Sequence, residues 1–192
     1  MLWPLILPAQ ITFWLLLAVV ASLTALAPRV NWKRGHAFNI SLVVALLAFV
    51  PSCTGVMTIL DAQRFGIFQY SSFTDIHDLR IQRFLPTQAQ SIELEKYAWG
   101  HRAKYSITQS ELTQFLDGLW HKYGPSSATP RDKLDDGKTV TDESFKHVFH
   151  GLDWLLPPEA IEFRSPVERD GGGATYFFDP KTETAYHRAG YW

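Results

Sequence analysis

The sequence predicts an α+β membrane-anchored protein: a helical hairpin at the N-terminus, followed by a small soluble domain with an antiparallel sheet. Two long uncharged apolar runs fill the first 60 residues. Beyond them, segments of helical period and short alternating segments of strand period are separated by turn residues. Because the strands are predicted in hairpins and do not alternate with helices, we expect about four to five antiparallel strands, with two amphipathic helices covering one face of the sheet.

Both apolar runs are long enough to cross a membrane. The predicted spans cover residues 9–28 and 38–60, and neither contains a charged side chain. About 20 mostly apolar residues span the hydrocarbon core, where every backbone polar group must be paired internally. A pair of buried core helices, or a signal peptide followed by one span, are the alternatives. A signal peptide begins with basic residues, whereas the first basic residue here, Arg29, follows the first apolar run.

The loop between the spans predicts the orientation in the membrane. Residues 28–36 contain Arg29, Lys33 and Arg34 and no acidic residue, whereas residues 61–74, beyond the second span, contain one arginine. Short basic loops stay on the cytoplasmic side. The sequence therefore predicts a two-pass protein of the inner (cytoplasmic) membrane, with both termini and the soluble domain on the outer, periplasmic side.

Charge and cysteine content narrow the partners. All 19 acidic residues and 15 of the 18 Lys and Arg residues lie beyond residue 60, which gives the soluble part a formal charge of −4. This composition argues against a nucleic-acid partner and leaves the lipid bilayer and a protein or envelope component. The single cysteine, Cys53, lies within the second predicted span. A plain thiol is favoured there over a lipidated one, and the soluble domain can form no internal disulfide.

A short helix through Phe84 is the first element predicted in the soluble domain, because Ser72 and Asp75 have the spacing of a capping box. A β-hairpin and an amphipathic helix follow it. Residues 92–98 and 103–108 flank a turn at Gly100 and His101, and the second run alternates apolar and polar side chains. Thr108 and Glu111 have the spacing of a capping box, in which each side chain accepts a hydrogen bond from the other residue's backbone. Apolar residues then recur at helical spacing, at Leu112, Phe115, Leu116, Leu119 and Trp120.

The rest of the domain is predicted as a loop, a helix, a short strand with alternating side chains at Ile161 and Phe163, and a closing hairpin. Residues 124–142 are polar and contain two prolines and two glycines, which predicts a mobile surface loop. A second amphipathic helix is predicted from Asp142 and ends before Pro157. Residues 175–178 and 184–187 flank an Asp-Pro-Lys-Thr sequence that suits a type I turn. The apolar face of the second helix contains Phe145, Val148, Phe149 and Leu152.

Two histidines are the weak candidates for metal ligands. His147 and His150 stand three residues apart on the second predicted helix, so one face would present two imidazoles to an ion such as zinc. The His-Glu-x-x-His signature is absent and the spacing identifies no acidic third ligand. Solvated surface histidines are the alternative interpretation. No catalytic residue and no cofactor is predicted, because the sequence contains no Gly-x-Ser-x-Gly motif and its one thiol lies within a span.

Aromatic residues at the two ends of the soluble domain are the candidate partner contacts. A small tethered domain without a catalytic motif is best interpreted as an interaction or accessory module at the membrane surface, and exposed aromatic side chains are typical of interfaces. A metal-dependent membrane-anchored enzyme that uses the two histidines is one alternative hypothesis, and a regulatory or sensory domain is another. The candidate contacts are Phe65, Phe68, Tyr70, Phe73, Tyr186, Tyr191 and Trp192, of which the last two are also expected to pack on the sheet.

Overall fold

The computed structural model describes residues 3–134 and 136–190, and the chain divides into two units. The first unit ends at Arg64 and is helical. The second begins at Phe65 and is α+β. The helical unit contains the two apolar runs of the sequence, and the α+β unit contains the more polar residues that follow them.

The first unit is a helical hairpin. Helix α1 covers Trp3–Leu26, a 3₁₀ turn covers Ala27–Val30, and helix α2 covers Arg34–Arg64. Both helices are long and apolar enough to cross a membrane. The side chains buried along α1 and α2 include Thr12, Val20, Ala37 and Ser41. Small side chains at a helix interface let two backbones approach closely, as is common in membrane helix pairs.

The second unit contains a seven-stranded sheet in which every neighbouring pair is antiparallel, in the order β1-β2-β3-β7-β6-β5-β4. The predicted α+β class with an antiparallel sheet is confirmed, but the strand number exceeds the four to five predicted. The strands are β1 Gly66–Ser72, β2 Gln90–Tyr97, β3 Gly100–Ser106, β4 Lys138–Thr141, β5 Glu159–Arg164, β6 Gly173–Asp179 and β7 Thr184–Gly190.

The two unpredicted strands, β1 and β4, form the edges of the sheet. Each pairs on one side only, and most of its side chains are exposed or half-buried. An edge strand buries too little of either face to show clear alternation between apolar and polar residues. The short strand β4 is in addition hidden in a polar segment, which explains why periodicity did not reveal either strand.

The predicted hairpin is formed by β2 and β3. Tyr97 pairs with Gly100 across a turn at Ala98 and Trp99. The turn lies two residues before the predicted position, so His101 belongs to strand β3 and is fully buried.

Helices α3 (Leu79–Phe84) and α4 (Gln109–Tyr123) cover one side of the sheet, which we call the first face. The predicted capping box of α4 is present, since the Thr108 hydroxyl accepts from the Glu111 N–H and the Glu111 carboxylate accepts from the Thr108 N–H. The core of the first face includes Ile81, Phe84, Leu94, Tyr105, Leu112, Leu116, Tyr176 and Phe178.

The segment after β4 covers the opposite side, the second face. Helix α5 (Asp142–Phe145) continues as a 3₁₀ turn over Lys146–Phe149. The prediction of one long helix here is wrong, because the backbone becomes extended at His150 and Gly151 adopts a left-handed φ of 86°. The core of the second face contains Phe145, Phe149, Trp154, Ala160, Phe177 and Tyr186.

The two amphipathic segments therefore lie on opposite faces, whereas one shared face was predicted. Consecutive side chains of a strand point to opposite sides, and Tyr176, Phe177 and Phe178 of β6 are all buried. Both faces of this part of the sheet must consequently be covered, one by α4 and the other by α5 and the chain that follows it.

The segment 124–142 contains two 3₁₀ turns as well as strand β4, where the prediction placed only a mobile loop. The guanidinium of Arg131 contacts Asp117 at 2.6 Å and Asp136 at 2.6 Å. The Asp136 carboxylate also accepts from the backbone N–H of Arg164 at 3.0 Å. These contacts join the polar segment to helix α4 and strand β5.

Candidate functional site

A cleft of about 660 Å³ opens on the second face of the sheet. One wall is the segment from Leu155 to Glu159, and the other is the turn between β6 and β7. Tyr186 and Ala160, both buried, lie between the walls, and Lys104 of β3 borders the opening. The cleft thus combines an apolar interior with charged side chains around it.

The backbone of the proline-containing wall accepts hydrogen bonds at both of its ends. The Tyr186 hydroxyl donates to the Leu155 carbonyl at 2.7 Å, and the Asp142 N–H donates to the Pro158 carbonyl at 2.9 Å. Proline restricts the backbone torsions of Pro157 and Pro158. The backbone of this wall is therefore restricted before any ligand binds.

The opposite wall is held by a buried carboxylate. Asp179 is 6% exposed and accepts from the Lys181 N–H at 2.9 Å and from the Thr182 hydroxyl at 2.7 Å. Burial raises the pKa of the Tyr186 phenol, and the nearby Asp179 charge raises it further. The phenol consequently stays protonated and remains a hydrogen-bond donor to the first wall.

Leu155 is the most exposed large apolar side chain beside this cleft, at 88% exposure. Its backbone is anchored by Tyr186 although its side chain projects into solvent. Because this backbone is already fixed, it loses little further conformational freedom when a partner covers the side chain. The arrangement is suited to binding an apolar segment of another molecule.

The predicted aromatic contact residues in and next to β1 are only partly exposed to a partner. Phe65, Phe68, Tyr70 and Phe73 are half-buried, and Tyr70 and Phe73 pack against the core of the first face. The Lys96 ammonium lies over the rings of Phe68 and Tyr70, at 4.8 and 5.4 Å from the ring centroids. These rings are thus engaged in contacts within the unit.

The predicted contacts near the C-terminus differ in their placement. Tyr186 is 3% exposed and forms part of the core of the second face. It lines the cleft between the two walls and is not an exposed aromatic side chain. Its position on a strand buried on both faces explains the difference. Tyr191 and Trp192, including their predicted packing on the sheet, lie outside the described residues.

The two histidines proposed as metal ligands are both exposed. His147 lies in the 3₁₀ turn and His150 lies in the turn that follows it. Within residues 3–134 and 136–190, no group of three or more His, Cys, Asp or Glu side chains is placed to hold a metal ion. The fold therefore adds no third ligand to the two-histidine hypothesis, which remains a prediction.

The three cations of the basic loop lie together at one end of the helical unit. Arg29 belongs to the 3₁₀ turn, and Lys33 and Arg34 flank the start of α2. All three are exposed. Asn31 adopts a left-handed φ of 60°, and its N–H donates to the Pro28 carbonyl at 3.2 Å, which reverses the chain between the helices.

A buried histidine pair was missed by the sequence analysis. The Nε2 atoms of His101 and His187 lie 2.8 Å apart, and both residues are 0% exposed. His187 Nδ1 lies 3.3 Å from the Tyr105 hydroxyl. The two histidines are 86 positions apart in the chain, and only the pairing of β3 with β7 brings them together, so no local pattern could reveal them.

Burial keeps both imidazoles neutral. Desolvation lowers the pKa of His101 to about 3, with a further lowering by Lys96 and Arg80 that opposes the raising effect of Asp78. Desolvation lowers the pKa of His187 well below its usual value, and His101 adds to this effect. Since both rings are inaccessible, the pair is a polar element of the first core.

No protein-family model, curated protein or solved structure is significantly similar to this chain.

Proposed function

We propose that the protein is a two-pass membrane-tethered interaction module, in which the soluble unit binds a protein partner or envelope component at the membrane surface. The observation that carries the proposal is the exposed Leu155 side chain beside the preformed cleft. The helical hairpin supplies the tether. The partner is expected to offer an apolar segment, because the cleft interior is apolar while charged residues surround it.

The exposed surface of the hairpin supports the tether. Trp14 is 64% exposed, Leu47 is 77% exposed and Val50 is 70% exposed. Each large apolar side chain left in water forgoes about 1.5–3 kcal/mol of burial free energy. Lipid removes this penalty, and the helical backbone already satisfies its own hydrogen bonds within the bilayer.

The orientation proposed for this tether follows from the basic loop. With Arg29, Lys33 and Arg34 on the cytoplasmic side, both termini face outward, into the periplasm of a Gram-negative cell. Alkaline phosphatase fused after Trp192 is expected to be active, and a fluorescent protein fused at the same site is expected to stay dark. The opposite pair of results would place the soluble unit in the cytoplasm and would contradict the proposed orientation.

The interaction role can be tested at Leu155 in the full-length chain in its own membrane. A photo-crosslinking amino acid at position 155 is expected to give a discrete adduct, because a partner seated in the cleft must cover this side chain. The same probe at Leu79, which is 82% exposed on α3, is the matched control and is expected to give no such adduct.

A charge substitution then tests whether the contact contributes to binding. Leu155→Glu is expected to weaken partner binding by about tenfold or more, since an interfacial anchor is typically worth over 1 kcal/mol. Leu79→Glu is expected to leave binding unchanged. Equal adducts at both positions, or equal binding by both Glu variants, would remove the cleft from the proposal.

A further inference from the structure

The helical hairpin contains an apolar groove of about 410 Å³ between α1 and α2. Leu16, Leu23 and Val30 line one side. Along α2 the groove runs from Ala37 to Ala48, eleven residues or about 16 Å at 1.5 Å per residue. One leaflet of a bilayer's hydrocarbon core has a depth of about 15 Å, half of the full thickness. The groove therefore has the length of one leaflet.

One end of the groove is lined by residues of the loop that connects the two helices. Trp32 lines the groove at that end and is 55% exposed, and indole rings favour the headgroup level of a membrane. Arg29 and Lys33 are close sequence neighbours of the lining residues at this end, and Arg34 follows them. The apolar groove thus ends next to a cluster of three cations.

The hairpin itself provides no anion for these cations. The first acidic residue of the sequence is Asp61, 27 residues beyond Arg34 on the same helix, which corresponds to about 40 Å along the axis. An anion that binds this cluster would therefore come from outside the hairpin. Phosphate is a strong acceptor for arginine and lysine donors.

We propose that the groove and the basic loop together bind one anionic membrane phospholipid. An acyl chain occupies the groove along α2, and the headgroup phosphate contacts Arg29, Lys33 and Arg34. Trp32 lies at the level of the glycerol backbone. The inference rests on the membrane insertion proposed above and adds a ligand class that the tether alone does not require.

Lipid retention by the purified full-length chain tests the inference. Phosphatidylglycerol and phosphatidylethanolamine with identical acyl chains are titrated into the protein in neutral detergent, and bound lipid is counted by native mass spectrometry. We expect one phosphatidylglycerol to bind at least tenfold more tightly than phosphatidylethanolamine. Replacement of Arg29, Lys33 and Arg34 by Gln is expected to abolish this preference.

A matched pair of alanine substitutions tests the groove. Ala45→Phe fills the lining and is expected to lower phosphatidylglycerol affinity at least fivefold, whereas Ala18→Phe, on an exposed surface of α1 outside the lining, is expected to have no effect. Far-ultraviolet circular dichroism of each variant, which reports helix content, verifies that the hairpin is folded, and the thermal transition of the soluble unit verifies the rest of the chain. Equal affinity for the two lipids, or equal effects of the two Phe substitutions, would overturn the inference.

Failure of the lipid site can be distinguished from failure of the tether. Extraction of membranes at alkaline pH reports whether the chain is integral, independently of lipid selectivity. A chain that resists extraction but shows no preference for phosphatidylglycerol contradicts only the lipid site. A chain that is released contradicts the proposed tether, and with it the lipid site.

Discussion

Acidification from pH 7 to pH 5 is expected to lower the unfolding free energy of the soluble unit by about 2 kcal/mol through His101 alone. His187 is expected to add to this loss. Both histidines are fully buried and face each other at 2.8 Å. The pair is therefore expected to dominate the histidine-linked part of the acid response.

The sign follows from the lowered pKa values. An unfolded histidine titrates near 6.5, whereas burial lowers the pKa of His101 to about 3 and that of His187 well below its usual value. Below pH 6.5 the unfolded chain binds protons that the folded chain excludes, so stability falls as the pH falls through this window. Full stability is present above pH 6.5.

The surroundings of the pair oppose its protonation. Lys96 of β2 and Arg80 of α3 disfavour a charged His101, and the raising effect of Asp78 is smaller than that of desolvation. Tyr105 and Tyr176 contribute only neutral phenols, since burial raises both of their pKa values. One Nε2 donates the hydrogen that the other Nε2 accepts. Protonation of the accepting Nε2 would place two N–H groups against each other at 2.8 Å.

The measurement is thermal or denaturant unfolding of the full-length chain in neutral detergent at pH 5, 6 and 7, followed by near-ultraviolet circular dichroism. The matched control is the double variant His101→Leu/His187→Leu, which removes both titrating groups and keeps apolar side chains in the core. The other five histidines are exposed and are common to both proteins. A pH slope as steep in the double variant as in the native chain would contradict the assignment.

Replacing Arg102 by Met is expected to lower the unfolding free energy by about 3 kcal/mol, the lower end of the range for breaking a buried ion pair. The guanidinium forms two hydrogen bonds with the Glu95 carboxylate, directly across the β2–β3 pair. It also donates to the carbonyls of Val148 at 2.9 Å and His150 at 3.0 Å. The substitution leaves all of these acceptors without this donor.

A double variant separates the charge from the other contacts. The side chains of Glu95 and Arg102 are only 20% and 17% exposed, so an unpaired Glu95 carboxylate pays a desolvation cost. Arg102→Met/Glu95→Gln is therefore expected to recover part of the loss. The remaining loss is attributed to the two backbone carbonyls.

The control for this prediction is an exposed ion pair. Arg80 and Asp78 are 46% and 30% exposed, and Arg80→Met is expected to cost less than about 1 kcal/mol. Denaturant unfolding of the three variants and the native chain provides the comparison. A double variant less stable than Arg102→Met would show that the carboxylate is not the main cost.

The sequence predicted the elements whose patterns are local. The hairpin of β2 and β3 is visible from alternation, and helix α4 from its capping box at Thr108 and its apolar stripe. Both signals lie within about fifteen residues, so no knowledge of distant strands was needed.

The elements that were predicted incorrectly depend on contacts with distant parts of the chain. The face on which α5 packs is set by Phe177 and Tyr186, over 30 residues away in sequence. One available signal was overlooked: the continuous apolar run from Ala174 to Phe178 is typical of a strand buried on both faces. The cleft has no comparable signal, because its two walls, residues 155–159 and the turn between β6 and β7, are separate segments of the chain.

The strand order has a consequence for biosynthesis. Strand β7, the last of the sheet to be synthesised, lies between β3 and β6. While the ribosome is still making residues 173–190, β1, β2 and β3 can form a three-stranded meander but cannot join the other half of the sheet. The helical hairpin emerges first from the ribosome. The sheet is thus completed only after the hairpin has emerged, and a ribosome that stalls before β7 leaves two incomplete halves with exposed strand edges.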